Sequence, residues 1–199
     1  MMKQQLSVPR GKSLAIMAVA LSSLVFAGCT TTAPKDQATA SQQRKDINAS
    51  VDSTLTRLYK SAPDARSMVE RAKGVLVFPN VLSAGFVIGV EHGNGVLRVN
   101  GRNQGYYSTT GGSIGFQAGA QSRAIVLLFM TQEALDKFQS SNGWTAGVDA
   151  TVAVAKIGAN GKVDTNTAQQ SVVGFVLTNA GLMAGVSLEG VKIQKVEGL

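Results

Sequence analysis

The chain has 199 residues, which suffice for one ordinary domain plus a tail, and its 44% hydrophobic content excludes a largely disordered protein. Its 22 glycines against 4 prolines favour a glycine-rich β domain, and its single cysteine excludes an intramolecular disulfide. Three of its 19 basic residues lie in an N-terminal signal, so 16 basic and 12 acidic residues leave a mature charge of +4. This weak charge, without a zinc-ligand pattern or an aromatic-rich basic motif, argues against nucleic acid as a partner.

The N-terminus has the features of a bacterial lipoprotein signal. A basic start precedes the apolar run Leu14–Phe26. This run is too short for a bilayer span, which needs about 20 residues, but it fits the apolar core of a secretory signal. It ends in Phe26-Ala27-Gly28-Cys29, which resembles a lipobox, with phenylalanine where leucine is usual. We predict that residues 1–28 are a lipoprotein signal peptide and that Cys29 carries diacylglycerol and an acyl chain such as palmitate.

Lipid on Cys29 would fix the protein to a membrane, because two acyl chains give stable anchoring where one binds only reversibly. By analogy with bacterial lipoproteins, in which aspartate after the cysteine often marks inner-membrane retention, Thr30 favours the outer membrane. The domain would then face the periplasm or the cell surface. The alternative is a simple secretory signal followed by a free thiol. Residues 29–43 are small and polar and are predicted to be a flexible tether, which leaves 44–199 as the folded domain.

Two helices are predicted at the start of this domain. Apolar residues recur at spacings of four, four and three along the first: Ile47, Val51, Leu55 and Leu58. This spacing places them on one face of a helix. Ser61 and Asp64 have the spacing of a capping box for the second helix, and Gly74 suits a left-handed cap at its end.

Strands dominate the rest of the chain. The predicted strands are 75–78, 83–91, 96–99, 104–108, 114–120, 123–130, 147–157, 171–178, 182–188 and 191–196. Pro79 is predicted to stop the first, and residues 92–95 (HGNG) are predicted to form a turn. One helix interrupts them at Thr131–Phe138, with Thr131 as its cap. The predicted fold is therefore α+β: an N-terminal helix pair packed on a glycine-rich, mainly antiparallel sheet, curled or barrel-like, with one inserted helix.

A Gly-apolar-x-x-Gly pattern occurs three times, at residues 85–89, 115–119 and 181–185. Glycines four apart on a strand share one face, because side chains alternate with period two. The smooth stripe that results favours close packing or sharp curvature of the sheet. The alternative is a groove floor for an acyl chain.

Several segments together resemble one known family. They are Ala72–Pro79, Gly85–Gly89, Gly111–Gln121, Ile125–Met130, Trp144–Val154 and Gly181–Leu188. From Ala65 to Glu197 the chain resembles the SYLF domain, a family of lipid-binding domains. In eukaryotes the family binds phosphoinositides and, in yeast, filamentous actin. The resemblance implies binding to anionic membrane phospholipid, while actin is an unlikely partner for a domain that faces the periplasm.

The sequence offers little for catalysis, and we expect no enzymatic activity and no metal or other cofactor. His92 is the only histidine. In the predicted turn beside Glu91 we expect it to be a solvated side chain rather than a catalytic base. No Gly-x-Ser-x-Gly elbow occurs. Residues 158–162 (GANGK) lack the spacing and the hydroxyl residue of a phosphate loop and are predicted to form a hairpin turn.

Five basic residues are clustered on the predicted helix pair: Arg57, Lys60, Arg66, Arg71 and Lys73. Between Arg57 and Lys73 the only negatively charged residues are Asp64 and Glu70. Some of the five are predicted to bind lipid headgroups, since each Lys or Arg near an anionic surface contributes about 1 kcal/mol. The alternative is an ordinary solvated helix pair of mixed charge. The alternative function is a structural or interaction module of the envelope that contacts protein or peptidoglycan.

Overall fold

The computed structural model describes residues 37–85, 88–114, 119–156, 162–183 and 185–199. Residues 35–199 form one compact unit, and its two hydrophobic cores consist entirely of residues from that unit. This unit therefore has what it needs to fold alone. The predicted signal peptide, Cys29 and the tether up to residue 36 lie outside the described residues.

The described residues form four helices and nine strands. The helices are α1 (Gln37–Ser61), α2 (Asp64–Arg71), α3 (Gln132–Ser140) and the single turn α4 (Thr165–Ala168). The strands are β1 (Gly74–Gly85), β2 (Ile88–Val99), β3 (Arg102–Ile114), β4 (Gly119–Phe129), β5 (Trp144–Thr145), β6 (Ala153–Val154), β7 (Val172–Thr178), β8 (Gly181–Leu182) and β9 (Lys192–Val196). None of the helices in the described ranges is long and apolar enough to cross a membrane.

The strands join in one sheet that curls into a half-barrel. Their spatial order is β5-β9-β3-β2-β1-β4-β7-β6, with β8 beside β7. All pairs are antiparallel except β6 with β7. The predicted α+β class, with helices on a curled and mainly antiparallel sheet, is confirmed.

The sheet is covered on both faces around its centre. Val126 and Leu128 of β4 point into a helix core beneath α1 and α2. Leu127 and Phe129 point the other way, into an aromatic core that includes Phe138 of α3. The rings of Phe129 and Phe138 lie 4.7 Å apart. Burial on both faces explains why residues 124–129 of β4 are apolar without interruption.

The predicted turn at 92–95 is wrong, because these residues lie in the middle of β2. Pro79 does not stop the first strand either. It lies at a bulge, where the pairing of β1 with both neighbours shifts register. The bulge brings β1 close to β2, and a Cβ on Gly93 would lie 2.6 Å from the carbonyl oxygen of Asn80. Gly93 therefore accommodates the neighbouring strand β1.

The ends of the helices also differ from prediction. Helix α1 begins at Gln37, so it includes part of the segment predicted as tether, and it extends through Ser61. Pro63 precedes α2 without a side-chain cap, so the predicted capping box does not form. Gly74 is the first residue of β1 and does not cap α2. A larger residue would clash at this position, because a Cβ would lie 2.6 Å from Leu135 Cδ1. Thr131 does cap α3, accepting a hydrogen bond from the Ala134 amide at 3.2 Å.

Two predicted C-terminal strands are much shorter than expected. Among the described residues of 147–157 only β6 joins the sheet, and among those of 182–188 only Leu182 of β8 does. The third glycine pattern is not a smooth stripe, because Gly181 and Gly185 have φ angles of 121° and 74°, which break an extended strand. Residues 86–87 of the first pattern, residues 115–118 of the second and most of the predicted 158–162 turn lie outside the described residues.

Candidate functional site

Arg57 forms a structural hydrogen bond within the domain, so we do not assign it to ligand binding. Its guanidinium donates a hydrogen bond of 2.8 Å to the carbonyl oxygen of Thr178 at the end of β7. It also lines a polar cavity of about 310 Å³ beside Pro79 and Asn80. This cation therefore holds α1 to the sheet, although sequence reasoning grouped it with the headgroup-binding residues.

Arg66 lies on the opposite flank of α1. Its guanidinium carbon is 4.3 Å from the ring centroid of Tyr59, a cation–π geometry. Residues 57 and 59 leave a helix about 200° apart, so Arg57 and Arg66 cannot share one headgroup. Burial raises the pKa of Tyr59, and the positive charge of Arg66 partly opposes that rise.

The other three predicted cations are exposed. Lys60 is near the end of α1, Arg71 ends α2, and Lys73 directly precedes β1. The exposed side chains of Lys60, Arg66, Arg71 and Lys73 are called the basic corner below. Asp64 and Glu70 are exposed in the same segment, so its net charge is +2.

An apolar cavity of about 300 Å³ is lined in part by Glu70 and Ala72, the sequence neighbours of Arg71 and Lys73 in the basic corner. Its apolar walls are formed by Leu55, Val69, Ala72 and Val75. Two charged residues also line it, Glu70 of α2 and Arg98 of β2. Apolar walls with a few polar groups are typical of small-molecule sites, and this volume is at the lower end of their range. The apolar walls of the cavity suit an aliphatic group.

Arg98 also holds α1 in place. Its guanidinium pairs with the Asp52 carboxylate at 2.6 Å. Next to it, Asn48 donates to the Tyr106 hydroxyl at 3.0 Å and accepts from Asn103 at 2.8 Å. The partners are 46 to 58 residues apart in sequence, which is why the sequence analysis missed this network.

Glu91 forms a largely buried ion pair with Arg123 that the sequence analysis also missed. The Glu91 residue is only 5% exposed. Its neighbour His92 is exposed on the opposite face of β2, because successive strand residues alternate. Adjacency in sequence therefore does not bring Glu91 and His92 together as an acid–base pair. Across the described ranges, no group of three or more His, Cys, Asp or Glu residues could hold a metal ion.

Comparison with known proteins identifies related sequences. Residues 110–198 match the family model Ysc84, described as "Las17-binding protein actin regulator". The chain is 29% identical over 129 residues to the human SH3 domain-containing YSC84-like protein 1 and 30% identical over 129 residues to that of Xenopus laevis. These alignments cover 62% of this chain but only 37% and 38% of those proteins.

The rat protein of the same name is 27% identical over 128 residues, with 62% of this chain and 37% of the relative covered. The chain thus spans well under half the length of the curated relatives it matches. The family-model match begins in β3 and includes neither α1 nor α2. The basic corner therefore lies outside the matched segment.

Proposed function

This chain carries a Ysc84 (SYLF) domain, as its sequence predicted, and we propose that the domain binds anionic phospholipid at a membrane surface. The observation that carries the proposal is the basic corner beside an apolar cavity. The corner offers cations to phosphate groups, and the cavity offers apolar walls to an aliphatic chain. A phospholipid presents both chemical groups a short distance apart.

The charges of the basic corner set the expected strength of binding. Near an anionic surface each Lys or Arg contributes about 1 kcal/mol, an attraction that fades within a Debye length of about 10 Å at 0.1 M salt. Arg57 is not counted among these charges, because its guanidinium is hydrogen-bonded to the carbonyl oxygen of Thr178. Arg66 stays in this group. One face of its guanidinium stacks on the Tyr59 ring, and the side chain is still exposed, so a phosphate can approach it.

We further propose that lipid on Cys29 anchors the protein, at the outer membrane of a bacterium with the domain facing the periplasm or the cell surface. Helix α1 has 25 residues, so about 37 Å separate Gln37 from the basic corner. The eight residues from Cys29 to Gln37 reach at most about 28 Å. For the anchor and the basic corner to contact one bilayer, α1 cannot stand upright and must be inclined to that bilayer by less than about 50°.

The domain is proposed to act by binding and not by catalysis. Its only histidine is separated from Glu91 by the alternation of β2, and the Glu91 carboxylate is occupied by Arg123. Actin regulation appears in the description of the matched family, but an exported domain would not meet actin. Membrane phospholipid is the partner that such a domain would meet.

Co-sedimentation with vesicles tests the lipid proposal. A protein comprising residues 35–199 is mixed with neutral or anionic phospholipid vesicles at low and moderate salt. We expect binding to anionic vesicles that weakens as salt rises. Replacing Lys60, Arg71 and Lys73 with alanine should weaken it roughly 100-fold, from about 1 kcal/mol for each charge.

The matched control removes the same net charge from exposed lysines elsewhere, by alanine at Lys45, Lys137 and Lys195. Equal losses in both triple variants would reduce the effect to net charge and remove the basic corner as a site. No binding to either kind of vesicle would contradict the proposed function. An envelope interaction with protein or peptidoglycan would then be the function to pursue.

The anchor is tested separately in cells. The full chain, expressed in a Gram-negative bacterium with labelled palmitate, should incorporate label and fractionate with the outer membrane. The variant Cys29→Ala should lose both properties. If the label is absent from the unaltered chain, the simple secretory signal is the correct interpretation of the N-terminus.

A further inference from the structure

Beyond the central part of the sheet, β1 to β4 continue as a four-stranded extension. Strand β3 pairs with β9 only up to Thr110, and β4 pairs with β7 only from Ala124 onward. Residues 111–114 of β3 and 119–123 of β4 therefore form the two open edges of this extension.

One face of the extension is bare and apolar. Leu82 is 59% exposed and Val90 is 67% exposed, the first on β1 and the second on β2. Ala84 pairs with Val90, which in turn pairs with Gly112 of β3. Directly paired residues of an antiparallel sheet point to the same face, so these side chains share one surface. The bare face is defined by Leu82, Ala84, Val90 and Gly112.

The opposite face of the extension is covered. Glu91 is buried there and pairs with Arg123, and Thr109 is also buried. The extension is therefore buried on one face and exposed on the other. The open side carries aliphatic residues where a solvated strand would carry polar ones.

A row of polar residues borders the bare face on its inner side. Leu82 pairs with His92, His92 with Thr110, and Thr110 with Lys192 of β9. His92 and Lys192 are exposed. Val90 lies two residues beyond His92 along β2, about 7 Å further out. A row that begins with Leu82 and ends with the cation Lys192 therefore lies just behind Val90.

Charges are otherwise excluded from this part of the chain. Residues 74–90 and 103–122 contain no Asp, Glu, Lys, Arg or His. An apolar surface with a cation about 7 Å behind it complements the boundary between the acyl chains and the headgroups of an anionic bilayer.

We propose that the bare face enters a lipid bilayer, with Val90 at the acyl boundary and Lys192 at the level of the phosphates. This inference rests on the proposed lipid binding and adds a second surface to it. The open edges of β3 and β4 limit the depth, because their unpaired N–H and C=O groups need water or headgroups. Insertion is therefore shallow, about 5–10 Å, as for other interfacial segments.

The two lipid surfaces lie at opposite ends of β1. Lys73 of the basic corner precedes Gly74, whereas Ala84 is ten residues further on, about 34 Å away along the strand. Experiments on one surface therefore leave the other in place. This separation makes the two proposals independently testable.

A fluorescent label on the bare face provides the test. Residues 35–199 contain no cysteine, so Val90→Cys introduces a single site for an environment-sensitive dye. The control is Gln104→Cys, an exposed position on β3 about 25 Å further back along the same sheet. With anionic vesicles we expect the dye at position 90 to shift to the blue and to resist quenching by iodide. The dye at position 104 lies near the end of the sheet that carries the basic corner, where contact is with headgroups, so it should remain accessible to iodide.

Co-sedimentation of the same samples separates the possible failures. Vesicle binding with an unchanged dye at position 90 overturns this inference and leaves the basic corner as the lipid contact. No vesicle binding overturns both proposals. A dye shift that follows protein concentration without vesicles overturns the inference in favour of a second copy of this chain on the bare face.

Charge substitution gives a second measurement without a dye. The double variant Leu82→Glu with Val90→Glu should weaken binding to anionic vesicles at least tenfold, because it removes two apolar side chains from the bare face and adds negative charge. Both positions are exposed, so the melting temperature should change little. Unaltered vesicle binding by a double variant that remains folded would also overturn the inference.

Discussion

Gly95 of β2 lies directly against the carbonyl oxygen of Val77 of β1. A Cβ at position 95 would overlap that oxygen and would also lie 2.6 Å from the ring of Phe78. The contact occurs beside the bulge at Pro79, where β1 changes register with both of its neighbours. The absence of a side chain at position 95 thus allows β1 and β2 to stay in contact past this bulge.

Replacing Gly95 with alanine should destabilise the domain by about 3 kcal/mol, at the upper end of what overpacking usually costs, because backbone cannot move aside as a side chain can. Gly112→Ala is the matched control, since a Cβ there meets nothing within 4 Å. Urea unfolding of both variants measures the difference. A Gly95→Ala protein as stable as Gly112→Ala would contradict the close approach of β1 and β2.

The ion pair between Glu91 and Arg123 should be sensitive to the loss of one partner. Arg123→Met leaves the Glu91 carboxylate buried without its cation, and we expect a loss of about 3–5 kcal/mol of unfolding free energy. Replacing both residues, with Glu91→Leu and Arg123→Met together, should recover most of that loss because no buried charge remains. A double variant no more stable than Arg123→Met would show that the pair contributes more than mutual neutralisation.

Helix α1 should stay on the sheet when the domain binds lipid. Val51 and Leu58 are fully buried, and hydrogen bonds hold both flanks of the helix. Amide exchange in α1 should therefore be slow and should not change when vesicles are added. Faster exchange in α1 with vesicles, but not in β4 as an internal reference, would show that the helix leaves the domain.

Stability should fall at high pH through Tyr107. Burial raises the pKa of this phenol above its ordinary value of 10.0, so the folded state holds the proton more tightly than the unfolded state. The associated stability is fully present below pH 10 and is lost as the pH rises through the folded pKa. Tyr107→Phe should therefore flatten the decline in unfolding free energy above pH 10. Tyr59→Phe serves for comparison, because the nearby Arg66 opposes the rise in that pKa.

Local patterns were sufficient for several elements of this fold. The 4-4-3 spacing of Ile47, Val51, Leu55 and Leu58 predicts the buried face of α1, of which Leu55 turns out to be the partly buried border. Thr131 caps α3 as predicted, because a cap depends on residues only three positions away. The nearly continuous apolar run in β4 predicts a central strand, and residues 124–129 of that strand are buried on both faces.

Contacts between distant parts of the chain decided the rest. Residues 92–95 have the composition of a turn but lie within β2, because their glycines accept the bulge of β1. The five basic residues form one cluster in sequence, yet the two flanks of α1 separate Arg57 from Arg66. The bare face exists only because β9 and β7 stop pairing before the ends of β3 and β4.

The sequence by itself determined the lipobox-like N-terminus, the α+β composition and the stripe that buries α1, since each depends on residues a few positions apart. The tertiary structure alone decided which glycines face a neighbouring strand, which cations remain available and which end of the sheet is uncovered. Those properties depend on strand register, and register is set by the packing of segments far apart in the chain.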